Sequence, residues 1–174
     1  TYESKIHFTK DVSKAPTDFF YIGNGAASPT NPRGMSFDSK GRLYVMCENL
    51  NPQTNSYVQV VENPTLPTRS LWKLFGSDQS ASNALSVSIN NGNNFMLTTD
   101  YKDQSIKAYT LDTDNVKCTF YRKLSNAGGT LDAINVFNNN YFTNDGGYLV
   151  KWNFDNNSTK NIFIGTSGIY APWG

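Results

Sequence analysis

Charge is scarce in this chain. Only 17% of its 174 residues are charged, 15 Lys and Arg against 14 Asp and Glu, for a net charge of +1. So small an imbalance sets up no field that would draw DNA, RNA or an anionic membrane, and no nucleic-acid partner is expected. Histidine occurs once, at His7, which excludes a His-rich zinc site. A Ser-His-Asp arrangement would need that one ring beside a binding funnel, whereas it reads as a surface residue of an outer strand. No run of about 18 apolar residues exists, so no membrane insertion by a helix is expected. Thr1 to Lys5 contain no apolar signal core, and a mature or excised chain would look the same. Cys47 and Cys118 are the only cysteines. They are expected as two buried free thiols, Cys47 on an inner strand and Cys118 near an outer strand of the next repeat. No segment carries a helical period.

Aromatic and small polar residues fill the space that charge leaves. There are 10 Tyr and 11 Phe in a chain that is 38% hydrophobic, enough for a packed core in one domain or in a piece of a larger one. Asn, Ser, Thr and Gly carry most of the polarity. That is the surface of a turn-dense β protein, and it points to an extracellular, cell-surface or periplasmic location. The overlapping glycosylation acceptors at Asn156 and Asn157 matter only in a host that glycosylates.

The stretch from Asn31 to Asn49 reads as two short strands and a turn. Met35–Asp38 alternates, Ser39-Lys40-Gly41 supplies turn chemistry, and Leu43–Cys47 is an apolar run of strand formers. The cassette recurs. Lys5–Thr9 and Asp18–Ile22 read as strands, followed by a crossing loop from Ala26 to Pro32. A first full unit has strands at Met35–Asp38, Leu43–Cys47, Tyr57–Val61 and Leu71–Phe75. A second has Leu85–Ile89, Asn94–Thr98, Ile106–Leu111 and Cys118–Arg122. A third has Leu131–Val136, Tyr141–Thr143, Tyr148–Phe154 and Asn161–Ile164, and Ile169–Gly174 looks like a fourth cut short. Met35, Leu85 and Leu131 are 50 and 46 residues apart. Four strands in about 40 to 50 residues is the period of a β-propeller blade. The inner hairpin turns, Asp38–Gly41, Asn90–Gly92 and Asn138–Asn140, all offer residues that tolerate a left-handed backbone.

The fold expected is therefore all-β, a propeller of four-stranded antiparallel blades with about three and a half blades present. Residues 1–28 would supply the last two strands of a blade, 29–76, 77–124 and 125–167 three full blades, and 168–174 the start of the next. Such a count does not close a ring comfortably. The expectation is a segment of a six- to eight-bladed propeller, partnered by the rest of the ring or by another copy, rather than a compact four-bladed ring.

Pro32-Arg-Gly-Met-Ser-Phe-Asp-Ser-Lys-Gly-Arg-Leu-Tyr-Val45 resembles the NHL and gluconolactonase-like pattern of extracytoplasmic propellers. Ser82–Gly92 with Phe95–Asp100 resembles regulator-type propeller repeats of Bacteroidetes surface proteins, some of them PorZ-like, and Leu71-Trp-Lys-Leu-Phe75 fits their aromatic outer strand.

Propellers bind at one end of the central channel, where strand ends converge. The positions after the second strands are Glu48 with Asn49, Asp100 with Tyr101, and Asn144 with Asp145; Arg33, Asn83 and Asp132 stand where first strands begin. The gluconolactonase-like resemblance implies a divalent cation held by Glu, Asn and Asp. It makes Glu48, Asn144 and Asp145 the ligand candidates, with calcium the cation that suits hard oxygens. Against it stands the ordinary role of Asp and Asn as turn caps. Tyr101, Tyr170 and Trp173 can form a stacking platform for a sugar, whereas Trp72 and Trp152 belong to the packing between blades. Gly23-Asn-Gly25 mimics part of a dinucleotide loop but runs into Pro29 and Pro32. Asp112-Thr-Asp-Asn115 opens like a calcium loop but lacks its glycine and glutamate, so it reads as a solvated turn.

Three functions follow from these readings. The first is a non-enzymatic extracellular or cell-surface scaffold engaging a protein or glycan, with no cofactor. The second, implied by the resemblance, is a calcium-dependent lactonase or esterase. The third is a receptor-binding propeller of a phage tail or surface filament, assembled as a symmetric complex.

Overall fold

The computed structural model describes residues 5–22, 30–49, 56–66, 70–74, 84–100, 105–125, 133–138, 140–145, 148–153 and 158–163. Among them there is only strand and turn. The strands are β1 (Lys5–Phe8), β2 (Asp18–Tyr21), β3 (Thr30–Phe37), β4 (Leu43–Asn49), β5 (Tyr57–Glu62), β6 (Ser70–Leu74), β7 (Ala84–Asn90), β8 (Phe95–Asp100), β9 (Ser105–Asp112), β10 (Lys117–Ser125), β11 (Ile134–Phe137), β12 (Asn140–Asp145), β13 (Tyr148–Asn153) and β14 (Ser158–Phe163). They make one two-stranded sheet, β1-β2, and three four-stranded antiparallel meanders in chain order: β3 to β6, β7 to β10, and β11 to β14. The innermost strands β3, β7 and β11 lie side by side without sharing a ladder. The fold is all-β, and its sheets are propeller blades.

Strand alternation explains why the sheets stack. Successive side chains on a strand point to opposite faces, so a blade between two others must be apolar on both. On β4, Leu43, Val45 and Cys47 meet Ile6, Phe20 and Ile22 in one seam, while Tyr44 and Met46 meet Val87, Ile89, Met96 and Tyr109 in the next. On β8 and β9, Leu97, Ile106 and Ala108 turn the other way onto Ile134, Tyr141, Val150 and Trp152. Both faces of the middle blade are thus buried. Trp152 lies within its seam and donates Nε1–H to Thr143 Oγ1 at 2.9 Å.

Serines stitch the inner strands together. An innermost strand has backbone groups with no ladder partner on its channel side, and these need another acceptor. Ser36 Oγ on β3 accepts the Ile89 N–H of β7 at 3.0 Å, and Ser86 Oγ on β7 accepts the Ile134 N–H of β11 at 3.3 Å. Asn90 on β7 donates to Tyr141 Oη at 2.7 Å. Across the seam between the first two full blades Lys40 is ion-paired with Asp114, clasping two hairpins from adjacent blades.

Several expectations are corrected. The crossing loop from Ala26 to Pro32 stops earlier, because β3 already begins at Thr30 and takes in Asn31 and Pro32. Pro32 is tolerated there because β3 is an edge strand, and the register shifts between Pro32 and Met35. In the second inner turn the left-handed residue is Asn94 (φ 52°), expected in the strand, rather than one of Asn90–Gly92. Cys118 is half-buried rather than buried, because β10 is an outermost strand; Cys47 is buried as expected, and both are free thiols. The strand expected from Leu131 starts at Ile134.

Candidate functional site

Among the described residues, the site positions expected from the sequence lie at or beside the ends of second strands. Thr30, Asn31 and Pro32 pair with Asn49, Glu48 and Cys47, and the shift after Pro32 brings Arg33 back toward the same end. Glu48 Oε2 accepts Arg33 Nε–H at 2.8 Å and Asn31 Nδ2–H at 3.1 Å. The Arg33 side chain is 43% exposed and that of Glu48 23%. The carboxylate therefore aligns the guanidinium and leaves the rest of it open to solvent. An exposed ion pair of this kind contributes little to stability, about 0–1 kcal/mol, so its geometry matters more than its energy.

Asp100 ends β8 in a different setting. It is closed off from solvent and accepts Lys107 Nζ–H at 2.9 Å, with both side chains buried. Met96 on the same strand lies in the seam against β4, and alternation puts Asp100 on that face too. Tyr44 and Met46 place Glu48 on the opposing wall of the same seam by the same alternation. The upper seam between the first two full blades is thus lined from both sides by a carboxylate, each with its own cation. Thr98 Oγ1 and Thr99 Oγ1, one toward each face of β8, are buried without a hydrogen-bond partner.

The remaining expected residues divide by position. Asn49 is the last residue of β4, and Asn144 and Asp145 are the last two of β12, positions equivalent to that of Asp100 at the end of β8. The side chains of these three, and all of Tyr101, Asp132, Asn83, Tyr170 and Trp173, lie outside the described residues. So does the glycine-containing loop at 23–28. Among the described residues no three His, Cys, Asp or Glu side chains come together to hold a metal ion. His7 is exposed on β1, with its ring 5.7 Å from that of Phe19.

Asp112 builds a turn. Its Oδ1 accepts the Asp114 and Asn115 N–H groups at 3.0 and 3.1 Å, and Oδ2 accepts Asn115 Nδ2–H at 2.8 Å. The Asn115 amide, then its backbone N–H, hold the carboxyl below its ordinary pKa. Its oxygens are taken up by the turn itself, Oδ1 by backbone N–H groups and Oδ2 by the Asn115 amide.

Sequence reasoning missed Lys107 and Asn31. Lys107 had a signal: it interrupts the strand Ser105–Asp112 at a position where its neighbours are apolar, across a hairpin from an acid. Asn31 had none, because it falls in the stretch from Ala26 to Pro32 that reads as a crossing loop.

No protein-family model and no curated protein sequence matches this chain. Solved structures do resemble it. A luciferin-regenerating enzyme superposes with a TM-score of 0.68 at 15% identity, over 92% of this chain and 57% of its own. Regucalcin of Agrobacterium tumefaciens, described as a calcium-binding protein, gives 0.59 at 13% identity, over 76% of this chain and 45% of its own. Hydrazine synthase of Kuenenia stuttgartiensis gives 0.53 at 9% identity, over 82% and 38%. The chain spans about half the length of the first two, and what it shares with them is the propeller fold.

Proposed function

We propose that this chain is a non-enzymatic binding propeller that engages a glycan or protein partner outside the cytoplasm, at the face where β3 and β4 carry Arg33 and Glu48. The observation behind this reading is that Glu48 and Asp100 each hold a cation of their own, Arg33 and Lys107. A carboxylate already satisfied in this way is a poor metal ligand or general base, but it is a good support for a directional donor. The aligned, half-exposed guanidinium can donate to sugar hydroxyls or to a partner's carboxylate, and Asn31 adds an amide. Glycan-array binding by the purified chain, repeated with Arg33→Ala, tests it. A glycan signal lost in the variant supports the site; a signal unchanged by Arg33→Ala removes Arg33 from it.

The calcium-dependent lactonase is the second reading, favoured by the likeness to regucalcin and by the resemblance of the 32–45 repeat to gluconolactonase-like blades. In that case Glu48 would exchange Arg33 for calcium, joined by Asn144 and Asp145. Isothermal titration with calcium chloride separates the two. Saturable binding that disappears in Glu48→Gln favours the metal site, and flat titrations with no lactone hydrolysis favour the binding propeller.

A further inference from the structure

A slip in the ladder between β3 and β4 decides which side chains share the end of the first full blade. Asn31 is paired across from Glu48, and Arg33, two residues on, keeps to the same face of β3. The register then shifts by one residue before Met35, a bulge of the kind that re-aims side chains. Beyond it Met35 and Phe37 pair with Val45 and Leu43, on the face away from Glu48. Gly34 takes up the extra residue, where a Cβ would run into Ser86 of the next blade. Without the slip, Met35 would follow Arg33 onto the Glu48 face. The slip therefore closes the polar group at three side chains, Asn31, Arg33 and Glu48.

The bonds inside this trio leave a definite set of groups over. Arg33 Nε–H and Asn31 Nδ2–H both go to Glu48 Oε2, and among the described residues no other hydrogen bond reaches the three. What remains is the pair of Arg33 Nη groups, which only donate, and Glu48 Oε1 and Asn31 Oδ1, which only accept. Charge is balanced as well, Arg33 against Glu48 and, on the facing wall, Lys107 against Asp100. An acid brought to the Nη groups has no proton for the two acceptors, and Glu48 already offsets the charge that would attract it. A cation suits the acceptors but meets the guanidinium. A hydroxyl accepts and donates, so it satisfies both kinds of group at once. We infer that this face takes an uncharged sugar by two adjacent hydroxyls, which accept from the Arg33 Nη groups and donate to Glu48 Oε1 and Asn31 Oδ1, and that it refuses acidic sugars. The inference deepens the reading of the Arg33 face as a binding surface, and rests on it.

The test is an array of neutral and acidic glycans, read with the parent chain, Arg33→Ala and Glu48→Gln, followed by calorimetric titration of the best-bound sugar. The parent chain should hold neutral glycans, and Arg33→Ala should lose them. Deoxy analogues of the bound sugar that lack either of the two hydroxyls should bind at least about tenfold more weakly, as loss of a hydrogen bond to a charged group does. Glu48→Gln keeps the shape of the side chain and removes its charge. It should weaken the neutral sugar and admit the matching uronic acid, a change of preference that a merely structural Glu48 would not produce. Both side chains are partly exposed, so unchanged far-UV circular dichroism is expected of each variant. A parent chain that prefers uronic or sialic acids, and loses them in Arg33→Ala, overturns the inference and leaves the binding surface standing. So does a deoxy series that binds undiminished, and so does a Glu48→Gln variant with the parent's preference. Binding indifferent to Arg33→Ala removes the surface itself, and an array without a neutral glycan bound overturns the inference outright.

Discussion

Replacing Gly34 by alanine tests how closely two blades approach at one atom. A Cβ there would stand 2.4 Å from Ser86 Oγ, 2.9 Å from Ser86 Cα and 3.0 Å from the Val87 nitrogen, all on β7 of the next blade. The hydroxyl accepts the Ile134 N–H at 3.3 Å and can turn away only by giving up that bond. The two backbone atoms cannot, because Val87 and Ile89 are packed in the seam with Tyr44 and Met46. To widen the 2.9 Å separation from the Ser86 backbone to the 3.4 Å of ordinary van der Waals packing, β3 and β7 must move apart. That separation pulls on the bond from Ile89 N–H to Ser36 Oγ, now 3.0 Å. Overpacking costs about 1–3 kcal/mol and the weakened hydrogen bond about 1 more, for a total of about 2–4 kcal/mol. In a domain of this size the melting temperature should drop by about 4–16 °C, read by circular dichroism or calorimetry. Adding Ser86→Ala to Gly34→Ala should recover less than half of the loss, since the clash with the β7 backbone remains. Full recovery, or a single variant that melts within about 1 °C of the parent, would refute the close approach of the two strands.

Asp38→Ala should be the most damaging single change at the first hairpin. It strips Arg42, buried with its Nη2 2.7 Å from Asp38 Oδ2, of its counter-charge and should cost about 3–5 kcal/mol in denaturant titration. Replacing both residues by Leu and Met should recover much of that. Stability should fall at the acid end as pH drops below 3.8, because the Asp112 turn holds its carboxyl below that ordinary value. Its contribution is whole above it and is lost as the proton returns, so Asp112→Asn should lessen the acid loss. At the alkaline end burial, reinforced by the Asp38 charge, lifts the Tyr44 hydroxyl well above its ordinary 10. Stability should therefore decline as pH rises past 10, and less so in Tyr44→Phe. Trp152→Ala, which empties the third seam, should cost about 3–5 kcal/mol by thermal melting.

The blade pattern was legible because it is local. Turn residues such as Gly41, whose φ is +76°, and the period-two runs at Leu43–Cys47 and Ile106–Leu111 carry their information within a few residues, and the described strands fall on such runs to within about three residues at their ends, except β3, which begins at Thr30 in the expected crossing loop. Trp152 was likewise legible as a packing residue. The site was less so. Glu48, Asn49, Asp100 and the Asn144–Asp145 pair were all aligned as strand ends, and strand ends they are. Yet Glu48 is partly exposed beside Arg33 while Asp100 is buried beside Lys107, and alternation within one strand does not tell how deeply the neighbouring blade covers an end residue.

The amino-acid sequence by itself determined the unit of this protein, a four-stranded antiparallel sheet repeated at 46 to 50 residues, because hydrogen-bonded hairpins and alternating burial are short-range consequences of residue order. Tertiary structure decided how those units meet. Ser36 caps Ile89, Lys40 reaches Asp114 and Gly34 admits β7 only because separate blades turn about one axis, and partners 53 residues apart such as Ser36 and Ile89 leave no mark in the local pattern of either.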